Sequence, residues 1–153
     1  MDGQRSIIIV SIDRMTDLKV GIGSRNINKD IVYKDLSYQI VGSAFKVSNE
    51  LGYGFPEKIY QDALAKELIT AGIPFAREVH IPILYKGEKL AAYFADFIVE
   101  DKIILELKSV PKLQYSYFKQ VLPYLKSSGK KLGILLYFTR NGVRYRRVLN
   151  PDV

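Results

Sequence analysis

Cysteine is absent from the sequence. That excludes disulfides and every thiolate metal site, and it fits a reducing compartment. Histidine is nearly absent too, with His80 as the single example. His80 stands beside Pro82 in a strand-like stretch and reads as structural. Long apolar runs are also lacking. Ile7–Val10 is the aliphatic run near the start, too short for a signal-peptide core or a membrane span. The expectation is a cytoplasmic protein without a membrane partner. Net negative charge is missing as well: the formal charge is +7, which favours polyanionic partners such as nucleic acid. Lys126, Lys130, Lys131, Arg140, Arg144, Arg146 and Arg147 crowd the last thirty residues.

What remains is an ordinary globular composition, 48% hydrophobic and 25% charged over 153 residues. A chain of that length suits one domain and buries roughly 70% of its unfolded surface. Residues 1–34 are poorly patterned and read as a loosely attached arm or one extra edge strand, with a short strand at Ile7–Val10. Residues 35–153 read as a single domain. Ile40, Ala44, Val47 and Leu51 recur at helical spacing, predicting a helix over 35–51 with Asp35 or Ser37 as N-cap. A second helix is expected over 56–71, with Pro56 in its first position and Gly72 beyond its end. Strands follow at 78–85, 89–99 and 103–110. Helical spacing returns at 112–128, through Leu113, Tyr117, Val121 and Leu125. Leu132–Thr139 is apolar enough for a central strand covered on both faces. Asn141-Gly142 signals a hairpin turn before a last strand at 143–149. The order is α-α-β-β-β-α-β-β.

Three charges interrupt the apolar runs of 95–110: Asp96, Glu106 and Lys108. Glu106 and Lys108 share a strand face because side chains alternate. Asp96 depends on the turn. A three-residue loop, Glu100–Lys102, sets Asp96 directly opposite Glu106. A two-residue turn at Asp101-Lys102 sends it to the other face. The sequence allows both. In the first case two partly desolvated carboxylates repel, which costs stability. A divalent cation between them removes the conflict, and hard carboxylate oxygens suit Mg²⁺ or Mn²⁺. An edge hairpin with a solvated charged face is the plainer alternative.

The helices carry polar residues on their apolar stripes. Glu57 and Tyr60 continue the line of Leu64 and Leu68. Glu57 complements a helix dipole there, or it is a third carboxylate aimed at a metal. Gln120 and Tyr124 lie four apart among the apolar positions of the third helix and, if buried, need partners. Pro123 between them predicts a kink or a break. Arg144 and Arg146 share one face of the last strand and could contact phosphates. An aromatic surface at Tyr115, Tyr117 and Phe118 allows a homodimer.

Gly54-Phe55-Pro56-Glu57-Lys58-Ile59-Tyr60 matches G-x-x-E-x-x-Y and resembles the signature of the GxxExxY protein family. Asp96 with Glu106-Leu107-Lys108 resembles the core of the PD-(D/E)XK nuclease superfamily, with Ala95 where the motif has Pro. Gln120 to Tyr124 resembles the Q-x-x-x-Y motif of its RecB-like branch. The resemblance spans about residues 35–150. It implies an α/β (mixed α+β) fold, a central mixed sheet flanked by helices, and a site where the hairpin splays. It implies that Asp96, Glu106 and the Leu107 carbonyl bind Mg²⁺ or Mn²⁺, with Glu57 as an additional acidic ligand. Lys108 would orient or help deprotonate the attacking water. Gln120, Tyr124 and Tyr60 would support substrate or site. The function it implies is a metal-dependent nuclease acting on DNA or RNA. The alternative is a non-catalytic module that binds nucleic acid or protein on the same fold.

Overall fold

The computed structural model describes residues 9–11, 31–112 and 114–153. The rest of the 1–34 arm, including the start of the expected Ile7–Val10 strand, lies outside the described residues, as does Leu113. The elements are β1 (Ile9–Ser11), α1 (Lys34–Leu51), α2 (Glu57–Thr70), β2 (Phe75–Tyr85), β3 (Glu88–Val99), β4 (Ile103–Ser109), a 3₁₀ turn (Tyr115–Tyr117), α3 (Phe118–Ser128), β5 (Leu132–Thr139) and β6 (Gly142–Leu149). Strands β2 to β6 form one mixed sheet, and β1 adds to its edge, in the order β1-β6-β5-β4-β3-β2. Among the described strands only β4 and β5 pair in parallel. The chain between them crosses over through α3, since parallel neighbours cannot be joined by a tight turn.

The sheet is covered on both faces. Helices α1 and α2 bury Ile40, Ala44, Tyr60 and Leu64 against Phe97, Leu105, Leu107, Leu136 and Phe138. Helix α3 buries Val121 and Leu125 against Ile98, Ile104, Leu135 and Tyr137 on the opposite face. Strand β5 is buried at every position, as its unbroken apolar run predicts for a central strand. Gly133 is what lets α3 lie so close, for a Cβ there would stand 2.5 Å from Val121 Cγ1.

Several boundaries and caps differ from expectation. The N-cap of α1 is Tyr33, at φ 52, with no side-chain cap. Ser37 is buried instead, and its hydroxyl finds no partner among the described residues. Position 37 lies a full turn inside the helix, where the stripe of Ile40, Val41 and Ala44 turns it inward. Pro56 is the N-cap of α2 rather than its first residue. Helix α3 begins at Phe118 and runs through Pro123 without ending. Pro123 is the sixth of the eleven residues of α3 and is exposed, so its ring removes one hydrogen bond on the solvent side and costs little packing. Among the described residues no helix is long and apolar enough to cross a membrane.

Candidate active site

The 95–110 hairpin resolves in favour of the three-residue loop. Val99 pairs with Ile103, Ile98 with Ile104 and Phe97 with Leu105. Glu100 and Asp101 both take positive φ, 50° and 56°, and the Lys102 N–H closes the turn on the Val99 carbonyl at 2.9 Å. Positive φ at both central positions is the mark of a type I′ turn, whose twist suits a hairpin. Continuing the register brings Asp96 opposite Glu106.

There the ladder stops being made of backbone. The Leu107 N–H donates to Asp96 Oδ2 at 2.8 Å, and the Asp96 N–H donates to Glu106 Oε1 at 3.3 Å. The two carboxylates occupy rungs that carbonyls would otherwise fill, so β3 and β4 separate at this point. On its other side β3 is irregular too. The pairs Arg77↔Phe97 and Val79↔Ala95 flank Asp96, and the intervening Glu78 has φ 50.

Burial decides the electrostatics. Glu106 is 8% exposed. Loss of solvent, and then the Asp96 charge, push its pKa up to about 9. Asp96 is raised as well, by burial first. The Leu107 N–H, Glu106, Lys108 and Arg77 pull it back. Two acids sharing so little solvent cannot both ionise at neutral pH, and the proton rests on Glu106. Arg77 was not singled out in the sequence. It also binds Asp62 of α2 at 2.8 Å, and only the register of β2 brings it beside Asp96.

Glu57 approaches from the other face at the start of α2. Burial raises its pKa most, the Asp96 charge adds to that, and Lys108 and a hydrogen bond from the Ser109 backbone oppose it. The segment that delivers Glu57 is tied down by Tyr60. The Tyr60 hydroxyl donates to the Gly52 carbonyl at 2.6 Å and accepts from the Phe55 N–H at 3.4 Å. Its ring is fully buried and stacks on Phe138 at 4.3 Å. The Ser109 hydroxyl fastens the same segment by donating to the Phe55 carbonyl at 2.9 Å.

Lys108 extends beyond the carboxylates, its Nζ 5.7 Å from the centre of the Tyr117 ring. Tyr124 of α3 is half-buried. Burial raises its pKa first, and the charges of Glu106, Tyr93 and Asp96 add to this. Its ring meets that of Tyr93 on β3 at 4.4 Å. Gln120 does not join them and is exposed, contrary to its expected place on the apolar stripe. Only a short α3 follows the 3₁₀ turn, and with Val121 facing the sheet Gln120 is turned about 100° away. Arg144 and Arg146 lie on the α3 face of β6. The register runs Lys108↔Tyr137↔Arg144 and Glu106↔Leu135↔Arg146. Arg147 has the opposite fate. It is 5% exposed on the other face and donates to the Val32 carbonyl, so the basic tail is not one continuous surface. Nor is Tyr117 a free aromatic surface: it is half-buried, 6.0 Å from Tyr137.

The family model described as the PD-(D/E)XK nuclease superfamily matches residues 34–148. The chain belongs to the PD-(D/E)XK nuclease superfamily. Similar solved structures include the crystal structure of SSO0001, with 23% identity over 78% of this chain and a TM-score of 0.49. This chain covers 58% of that one, less than two thirds of its length. Another is an alkaline exonuclease, LHK-Exo, from Laribacter hongkongensis, with 14% identity, coverage of 80% and 73%, and a TM-score of 0.46. No curated protein matches the chain.

PD-(D/E)XK nucleases generally use divalent metal ions. Among the described residues no three acidic or histidine side chains form a ready-made metal cluster. The donors that are present nevertheless suit a hard cation. Burial first, and then the charge of the half-buried Asp96, keeps Glu106 protonated, and a cation of charge two is what relieves such a pair. The Leu107 carbonyl adjoins them in the chain, and Glu57 is close enough to feel the Asp96 charge.

Proposed function

We propose that this protein is a metal-dependent phosphodiester hydrolase acting on nucleic acid. The observation that carries the reading is the buried Asp96–Glu106 pair at the opening of β3 from β4, with Lys108 next along the same strand face. Asp96, Glu106 and the Leu107 carbonyl would hold Mg²⁺ or Mn²⁺, and Glu57 would complete the set. When bound, such a cation lowers the pKa of a water and neutralises non-bridging phosphate oxygens. Lys108 orients the attacking water and offers positive charge where the phosphate gains negative charge. Tyr124, beside the carboxylates, supports the site. Gln120 and the arginines Arg144 and Arg146 contact the substrate backbone farther out. Tyr60 is a positioning residue that acts through the segment leading to Glu57.

Within the superfamily, Gly54, Glu57 and Tyr60 support membership of the GxxExxY group, and Gln120 with Tyr124 supports the RecB-like branch. Residues 35–153 act as one domain in this reading, with 1–34 as an arm. The lack of cysteine supports a cytoplasmic setting.

The test is a Mn²⁺ titration read by thermal unfolding, on wild type, Glu106→Gln and Asp96→Asn. Wild type should be stabilised, because a ligand that binds only the native state adds to its stability. Both variants should lose the gain. Cleavage of labelled DNA and RNA by wild type, and not by Lys108→Ala, should follow. If Mn²⁺ leaves wild type unmoved, the hydrolase reading fails and a binding module takes its place.

A further inference from the structure

Strand β3 outruns β4. Its backbone pairing with β4 is confined to Phe97–Val99, whereas its pairing with β2 continues out to Tyr85↔Glu88. Among the described residues, the stretch before Asp96 is therefore a two-stranded ribbon beside the carboxylates. Its surface carries partly exposed rings. Phe94 is 62% exposed and Tyr93 38% exposed. They are neighbours in a strand, so they face opposite sides of the ribbon. Tyr93 leans on Tyr124, with centroids 4.4 Å apart. Phe94 leans edge-on against His80 at 5.4 Å, and the Lys89 Nζ sits 3.0 Å from His80 Nε2.

Core packing does not account for Phe94. A strand that only carried Asp96 to its place would do so with polar residues on a solvated face. What the ring can do is stack. A base in a duplex is already stacked on both faces and offers nothing to Phe94 or Tyr93. An unpaired base offers a whole face, and every base has one. Charge points the same way. The chain carries +7, Lys108 and Arg144 lie in one row across the sheet, and Lys89 attends the Phe94 side. The recessed position of Glu106, 8% exposed, also suits a narrow strand better than a broad duplex.

We propose that the β2–β3 ribbon is a stacking platform, on which a single-stranded nucleic acid passing over the β3 edge next to the Asp96–Glu106 site places unpaired bases against Tyr93 on one side and Phe94 on the other. This rests on reading that site as one that acts on nucleic acid, and it adds the strand state of the substrate.

The experiment is fluorescence anisotropy with the full chain in EDTA, where no cutting occurs. The probes are a labelled mixed-sequence strand of about twenty nucleotides, as DNA and as RNA, and the duplex of each. A single strand should bind at least about tenfold tighter than its duplex. Phe94→Ala should weaken single-strand binding roughly fivefold to a hundredfold, leave duplex binding unchanged, and be rescued by Phe94→Trp. Whichever of DNA or RNA shows this pattern is the strand the platform takes. Equal binding of strand and duplex, or wild-type affinity in Phe94→Ala, overturns the inference. Mn²⁺ stabilisation is measured on the same samples. If it persists in Phe94→Ala while stacking is lost, platform and metal site are separate and both stand. If it is absent from wild type while strand preference and Trp rescue hold, the hydrolase reading falls and the platform stands.

Discussion

In the metal-free protein Glu106 keeps its proton to about pH 9, against 4.5 for an ordinary glutamate. Between those values the native chain holds a proton that the unfolded chain has released. The native state therefore binds more protons, and stability falls as pH rises through this window. Glu106→Gln carries no such proton. Without metal it should match wild type near pH 5 and exceed it near pH 8, by about 1–3 kcal/mol once relaxation of the site is allowed for. Chemical denaturation at the two pH values reads this directly. A variant no more stable than wild type at the higher pH would show that the pair is better solvated than its burial implies. Tyr60 makes a second case. Tyr60→Phe keeps the stack on Phe138 but removes the hydroxyl that bridges Gly52 and Phe55. It should cost about 1–2 kcal/mol, and it should weaken Mn²⁺ binding only as far as Glu57 depends on that segment. A Tm unchanged from wild type would remove the bridge from the account.

At the scale of elements, Gly133 sets the distance between α3 and the sheet. Gly133→Ala drives its Cβ into Val121 Cγ1 and should destabilise by about 1–3 kcal/mol. Adding Val121→Ala should return part of that loss in a double-mutant cycle, since the two changes share one space. The β3–β4 turn offers the reverse. Glu100 and Asp101 hold positive φ without being glycine or asparagine, at a cost of about 1 kcal/mol each. Glu100→Asn with Asp101→Gly should raise the melting temperature and leave Mn²⁺ binding alone. The same turn shows where the sequence stopped being readable. Helices and strands were legible because a period of 3.6 is written in Ile40–Leu51 and an unbroken apolar run in Leu132–Thr139. The Asp96–Glu106 pairing hung on a loop length, and both lengths used residues equally willing to turn. Arg77 was out of reach because β2 begins at Phe75, earlier than its alternation suggested, and its neighbour across the sheet depends on register. Gln120 was misplaced because Val121, the next residue, takes the sheet-facing position and turns Gln120 about 100° away from it.

For the whole molecule, +7 overstates the charge that a ligand meets. Arg147 is buried. Arg144 and Arg146 lie on the α3 face of β6, two strands from Lys108 and Glu106. If they meet phosphates, their contribution is electrostatic and indifferent to base identity. Each phosphate neutralised steepens the fall of affinity with salt by about one in the logarithmic slope. Arg144→Gln should therefore flatten that slope by about one and weaken every oligonucleotide alike. Phe94→Ala should leave the slope untouched while lowering single-strand affinity, because stacking releases no counterions. Titrating both variants across a range of salt separates the two kinds of contact. An Arg144→Gln slope identical to wild type would mean that the phosphates run along another edge of the sheet, and that the basic face of β6 serves only solubility.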